Sequence, residues 1–167
     1  MSIKIRKLTQ IMVKNISSIL VPVDGSEYSK RALDKAIELS KKLEAKIDLL
    51  TSVAASTTQP PGVVLSGMVK GKGATKAIDE YVKKALDEAN RMMQENIKYC
   101  KNKGVEASYK VMSENPAKAI LDYSKRNQSD LIVMGSQGLR GIKKIKVLGS
   151  VSRHVLENAS CPVVVVH

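Results

Sequence analysis

Apolar residues along this chain follow two alternating periods. Short, nearly unbroken apolar runs alternate with longer segments in which apolar residues recur every three or four positions. Ser17–Val23 (SSILVPV) predicts a buried strand, and Asp24-Gly25-Ser26 predicts a turn in which Ser26 can N-cap the next helix. That helix places Ala32, Leu33, Ala36, Ile37, Ser40 and Leu43 on one face and its charges on the other. Lys46–Val53 predicts a second strand. Residues 54–75 are rich in Gly, Pro, Ser and Thr without a period, and predict a long mobile loop. Over Lys76–Lys103 a long helix carries Ile78, Val82, Ala85, Leu86, Ala89, Met92, Met93, Ile97 and Cys100, with Gly104 as its stop. Val105–Met112 alternates as a half-buried strand does. Asn115-Pro116 opens a helix with proline at the first position, and Ala119, Ile120 and Tyr123 begin its inner face. Asp130–Met134 predicts a strand, Ser150–Asn158 a helix that Cys161-Pro162 breaks, and Val163–Val166 a final strand.

Strand and helix alternate, and the strands are apolar along most of their length. Such strands belong to a parallel sheet with helices on both faces. Right-handed crossovers then restrict the topology, and the expected fold is α/β: a doubly wound, five-stranded parallel sheet of order 3-2-1-4-5. The chain reverses its winding between strands one and four, and ligands bind at that switch point, outside the carboxyl ends of the strands. Asp24 follows strand one and Gly135 follows strand four, so the topology predicts that they face one cleft.

The segment after strand four carries the chemistry. Leu131–Ser150 reads LIVMGSQGLRGIKKIKVLGS: an apolar strand, then glycines at 135, 138 and 141, then cations, then Gly149-Ser150 at a helix start. Glycines let backbone N–H groups approach an anion, and the helix start adds unpaired donors and a positive dipole end. Ser150 can cap the helix or donate its hydroxyl proton to a phosphate, and Ser152 can do the same from the first turn. Arg140, Lys143, Lys144 and Lys146 supply charge to neutralise a triphosphate. A carboxylate at Asp24 suits a sugar hydroxyl rather than phosphate, so the pair of segments points to a nucleotide. The competing reading is a tight turn with a plain helix cap.

Composition narrows the picture. The 167 residues suit one domain, and with no Phe and no Trp its core must be aliphatic. The longest apolar runs fall short of the roughly 20 residues of a membrane span, and the amino-terminal stretch lacks the features of a signal peptide. A reduced cytoplasm is the expectation, and Cys100 and Cys161 form no metal or redox pair. The formal charge of +12 resides in residues 1–17, 54–76 and 139–153, which hold twelve cations and no acid. Such concentration suggests an anionic partner, although solvated lysines are the better account of the first two segments. Nucleic acid is disfavoured, because tyrosine is the only aromatic available for stacking. Lys72 among Gly67, Gly71 and Gly73 does not form a P-loop, and the dinucleotide fingerprint is absent after strand one. His154 reads as a helix-surface residue and Cys161 as a small buried one. No catalytic residue and no protein metal site is expected.

The stretches ILVPVDGSEYSKRAL, LLTSV, DLIVMGSQG and GSVSRHVLENASCPVVVV resemble the universal stress protein family, in order, over residues 17–167. The resemblance implies the same doubly wound fold, of the adenine nucleotide alpha hydrolase-like kind. Its nucleotide-binding members carry G-x2-G-x9-G-[ST] after strand four and bind ATP. Position by position, Gly135 and Gly138 match the first two glycines and Gly149-Ser150 the closing pair, followed by Val151 and Ser152. Pro22, Val23 and Asp24 match the nucleoside-contacting segment. Ser52 or Val53 falls where strand two lines the adenine pocket, and Met134 ends strand four. Two departures stand out. Leu139 to Leu148 is ten residues where the motif has nine, and Ser113-Glu114-Asn115-Pro116 lacks a glycine common before the third helix.

The resemblance thus implies a cytoplasmic ATP-binding regulatory or stress-response factor, with Mg or Mn bridging phosphate oxygens and at most slow hydrolysis, since no general base is evident. The alternative is a nucleotide-free member acting as a dimeric protein-interaction module. Members pair their last strand across a homodimer, here Val163, Val164, Val165 and Val166, which would cover an aggregation-prone edge. Residues 1–16 lie outside the resemblance. They form an extension, a candidate helix, whose Ile3, Ile5, Leu8, Ile11, Met12 and Val13 could pack on a partner chain.

Overall fold

The computed structural model describes residues 15–53, 72–139 and 148–167, with the backbone alone for 72–78. Residues 1–14 of the amino-terminal extension, 54–71 of the predicted loop, and Arg140, Lys143, Lys144 and Lys146 therefore lie outside the described residues. The elements run β1 (Ser18–Pro22), α1 (Glu27–Leu43), β2 (Lys46–Ser52), α2 (Lys72–Asn102), β3 (Ala107–Met112), α3 (Pro116–Arg126), β4 (Leu131–Gly135), α4 (Ser150–Asn158) and β5 (Val163–Val166). The sheet has the order β3-β2-β1-β4-β5, as the alternation predicted, and each adjacent pair is parallel.

The central strands are buried on both faces, which is why their sequences show no alternation. Odd-numbered Ile19, Val21, Ile47, Leu49, Leu131 and Val133 pack against α1 and α2 through residues such as Ala32, Leu33, Met93 and Cys100. Even-numbered Leu20, Leu50, Ile132 and Met134 pack against α3 and α4 through Ala117, Ile120 and Val155. Register is set by the pairs Ile19 with Ile47, Ile19 with Leu131, and Ile132 with Val163. At the amino ends, one oxygen of Asp130 accepts the Ser17 and Ser18 amides at 3.0 and 3.2 Å and the Ser17 hydroxyl at 2.9 Å, fastening β1 beside β4. Among the described residues no helix is long and apolar enough to cross a membrane.

Three local expectations change. The long helix starts at Lys72 rather than Lys76, taking four residues from the predicted loop. Gly73 is tolerated because one interior glycine costs only about 1 kcal/mol, which a helix of 31 residues absorbs. Leu43 is exposed rather than inward. The chain turns at Glu44 (φ 54°), so Ala45 takes the buried place and Leu43 ends the helix beyond its packed face. Cys161 is half-buried, because the turn into an edge strand has neighbours on one side only. Cys100 is buried, and burial pushes its thiol up to about 11, so it remains a protonated core residue.

Candidate functional site

The carboxyl ends of the strands open into a cleft of about 780 Å³. It is lined by Pro22, Val23 and Asp24 after β1, Ser52 and Val53 after β2, Met134, Gly135 and Gly138 after β4, and Gly149, Ser150, Val151 and Ser152 at the start of α4. Segments more than a hundred residues apart thus share one crevice at the switch point between β1 and β4. Of the residues singled out from sequence for this site, Arg140, Gly141, Lys143, Lys144 and Lys146 fall outside the described ones.

The ends of the glycine loop are fastened at a single peptide. The Gly149 amide donates to the Ser136 carbonyl at 2.8 Å, and the Ser136 amide donates to the Val166 carbonyl at 2.8 Å. Ser152, almost fully buried, directs its hydroxyl to the Ser136 carbonyl at 2.8 Å or the Gly149 carbonyl at 3.0 Å. Gly149 is therefore placed by a bond outside the intervening segment. The Ser152 hydroxyl proton is directed to this closure, so the donor that this residue has left for a phosphate is its backbone amide.

Two helices begin on the cleft, and their first turns differ. In α3 the Asn115 side chain accepts from the Ala117 and Lys118 amides at 3.1 and 3.4 Å, and Pro116 has no amide to offer. In α4 the N-cap is Gly149, with extended backbone and no side-chain cap hydrogen bond; Ser150, expected as a cap, is instead the first helical residue and is exposed. The α4 start thus presents uncapped amides and its positive dipole end to the cleft, where an anion is favoured. The other walls are rigid: the Val23 amide donates to Leu50 and the Val53 amide to Met112, each at 2.8 Å, and the Ser52 hydroxyl donates to the Glu114 carbonyl.

Sequence reasoning missed two parts of the cleft. Ala85, Glu88, Ala89 and Met92 form one stripe of α2 over the strand ends, and Asn115, Pro116 and Ile120 bring in the start of α3. The i, i+3, i+4, i+7 spacing of the first set was visible, and so was the position of Asn115 just after a strand. What the pattern could not show is how far along its length α2 overhangs the sheet. His154 is exposed on α4, as its position implied, and among the described residues no group of three His, Cys, Asp or Glu side chains could hold a metal.

The parallel order and the crevice at the switch point define a doubly wound α/β protein. The sequence profile described as the Universal stress protein family matches residues 15–167, and the chain belongs to that family. It is 31% identical over 153 residues to Universal stress protein YxiE of Bacillus subtilis, covering 90% of this chain and 98% of the relative. It is 33% identical over 148 residues to Universal stress protein MJ0531 of Methanocaldococcus jannaschii, covering 89% and 80%. Among solved structures, universal stress protein UspA from Lactobacillus plantarum superposes with a TM-score of 0.76 at 21% identity, over 93% of this chain and all (100%) of that one. The universal stress protein from Archaeoglobus fulgidus in complex with dAMP superposes with a TM-score of 0.62 at 20% identity, over 92% of this chain and 100% of that one. These likenesses carry the same fold.

Proposed function

We propose that this chain is an ATP-binding universal stress protein that works as a nucleotide-dependent regulatory factor in the cytoplasm. The observation that carries the reading is the uncapped start of α4 at Gly149, which lines one cleft together with Gly138 and Pro22–Asp24. The dAMP complex of the related Archaeoglobus protein supports an adenine nucleotide as the ligand class. Adenosine would lie against Pro22, Val23, Asp24, Ser52 and Val53. The phosphates would lie on the backbone of Gly138, Gly149, Ser150, Val151 and Ser152, with Arg140 contributing charge. These residues fit the group at the start of α4, which has no side-chain cap and is lined by Gly149 and Ser150. A Mg or Mn ion would bridge phosphate oxygens and keep mostly water ligands. Nucleotide extracted from the purified protein should contain adenine, and Mg-ATP at about 100 times its dissociation constant should add roughly 2.7 kcal/mol of stability. A protein that carries no nucleotide and shows no thermal shift with Mg-ATP would overturn the reading.

The second reading, a nucleotide-free member acting through protein contacts, is favoured by the ten residues between Gly138 and Gly149. The same extraction separates the two. In either case we place a second copy of the chain on β5, an edge strand paired on one side by β4, with Val164 facing outward. Light scattering at micromolar concentration should give twice the chain mass, and a monomer would contradict the pairing.

A further inference from the structure

Asp24 is the residue expected to hold a sugar hydroxyl, yet both of its carboxylate oxygens already have partners. Oδ1 accepts the Ser26 amide at 3.0 Å, an Asx-type turn two residues long. Oδ2 accepts the Leu139 amide at 3.2 Å, a bond across 115 positions that ties the turn after β1 to the glycine loop after β4. Gly138 makes room for it: a Cβ at that position would lie 2.7 Å from the same Oδ2. The Ser26 hydroxyl points to the Gln137 carbonyl at 3.5 Å, a weaker link between the same two loops. An anionic group therefore already sits beside Gly138, whose backbone the proposed function gives to phosphate, and on the next amide along, that of Leu139.

We propose that Asp24 is an intramolecular anion that holds Gly138 and Leu139 against the turn after β1 without ligand and thereby selects nucleotides over free polyphosphate. The inference rests on the nucleotide reading of the site. A single N–H cannot serve a carboxylate and a phosphate at once, and two anions at that separation repel. A ligand made only of phosphates must displace Asp24 and offers the freed carboxylate no donor. A ligand with a ribose displaces it and supplies sugar hydroxyls in exchange. Asp24 thus acts through the Leu139 amide before binding and on the sugar afterwards.

The test uses the full chain and its Asp24→Asn and Asp24→Ala variants, titrated calorimetrically with inorganic triphosphate, adenosine and Mg-ATP. Exchange of the Leu139 amide is followed without ligand. Removing the carboxylate charge, and in Asp24→Ala the competing bond as well, should let both variants bind triphosphate about tenfold tighter than the unaltered protein, while adenosine binds about tenfold more weakly. The Leu139 amide should exchange faster in Asp24→Ala. Triphosphate affinity that does not rise in either variant, or Leu139 exchange that Asp24→Ala leaves unchanged, overturns the proposal. If Mg-ATP still binds the unaltered protein in that case, the nucleotide reading survives without the clasp. If neither Mg-ATP nor triphosphate binds any of the three proteins, both fall. Asp24→Asn keeps the size and one acceptor of the side chain, so the comparison remains available if the alanine variant folds poorly.

Discussion

Replacing Gly149 by aspartate is expected to abolish nucleotide binding while leaving the fold intact or slightly more stable. Gly149 caps α4 with φ −63° and ψ 161°, backbone angles that any residue adopts. A Cβ built there meets the Gln137 Cα and Ser136 carbonyl at 3.5 Å and the Ser152 Oγ at 3.6 Å, ordinary contact distances. An aspartate at an N-cap accepts amides of the first turn and complements the helix dipole, which stabilises a helix by a few tenths to about 1 kcal/mol relative to glycine. In a chain of this size that raises the melting temperature by roughly 1–4 °C. The same carboxylate would take the donors proposed for phosphate and repel a triphosphate, a loss of at least about 100-fold in affinity. Thermal melts with and without Mg-ATP check both halves: the unaltered protein should shift by about 5–10 °C at saturating ligand and the variant not at all. A variant that still shifts would move the phosphates away from α4. Gly149→Ala adds no charge and should weaken binding far less.

The second large effect concerns Gly135, whose replacement by alanine should destabilise the fold by about 2–3 kcal/mol. A Cβ at this position would lie 2.8 Å from the Tyr28 carbonyl carbon, 2.8 Å from the Tyr28 Cβ and 3.0 Å from the Ser29 amide nitrogen. These are backbone or backbone-attached atoms of the first turn of α1, and they cannot rotate away as the end of a side chain can. Either α1 lifts from β4 or the end of β4 bends, and both open the packing around Val23, Val133 and Leu33. A fall of roughly 4–12 °C in melting temperature is expected, with Gly135→Val lower still. The displacement would also move Ser26 and Asp24, which precede that turn, so ligand affinity should fall together with stability. A Gly135→Ala protein as stable as the original would show that α1 and β4 are not packed this closely.

Much of this architecture was legible because it depends on periodicity. The unbroken run ILV in β1 and the run LIVM in β4 can be buried only between two helical layers, and the stretches after them carry helical spacing and cap residues. Ser26 does cap α1, and α3 does open at Asn115-Pro116 with proline as its first residue, as their positions before the apolar-periodic segments predicted. Parallel pairing and right-handed crossovers then determine the strand order, and the order determines that the turn after β1 and the loop after β4 meet. Periodicity was weaker where a glycine interrupts it, as at the start of α2, and where a helix runs out of core, as at Leu43.

By itself, then, the sequence determined the elements, the order of the sheet and the pair of segments that bound the cleft, since these follow from chain-local chemistry and handedness. Only the tertiary structure decided how those segments touch. It places Gly135 against the Tyr28 backbone, fastens both ends of the glycine loop at the Ser136 carbonyl, engages the Ser152 hydroxyl in that closure, and puts Asp24 on the Leu139 amide. Such contacts join residues that are distant along the chain at separations of about 3 Å. Distances of that kind are set by how whole helices and strands pack, and no local pattern encodes them.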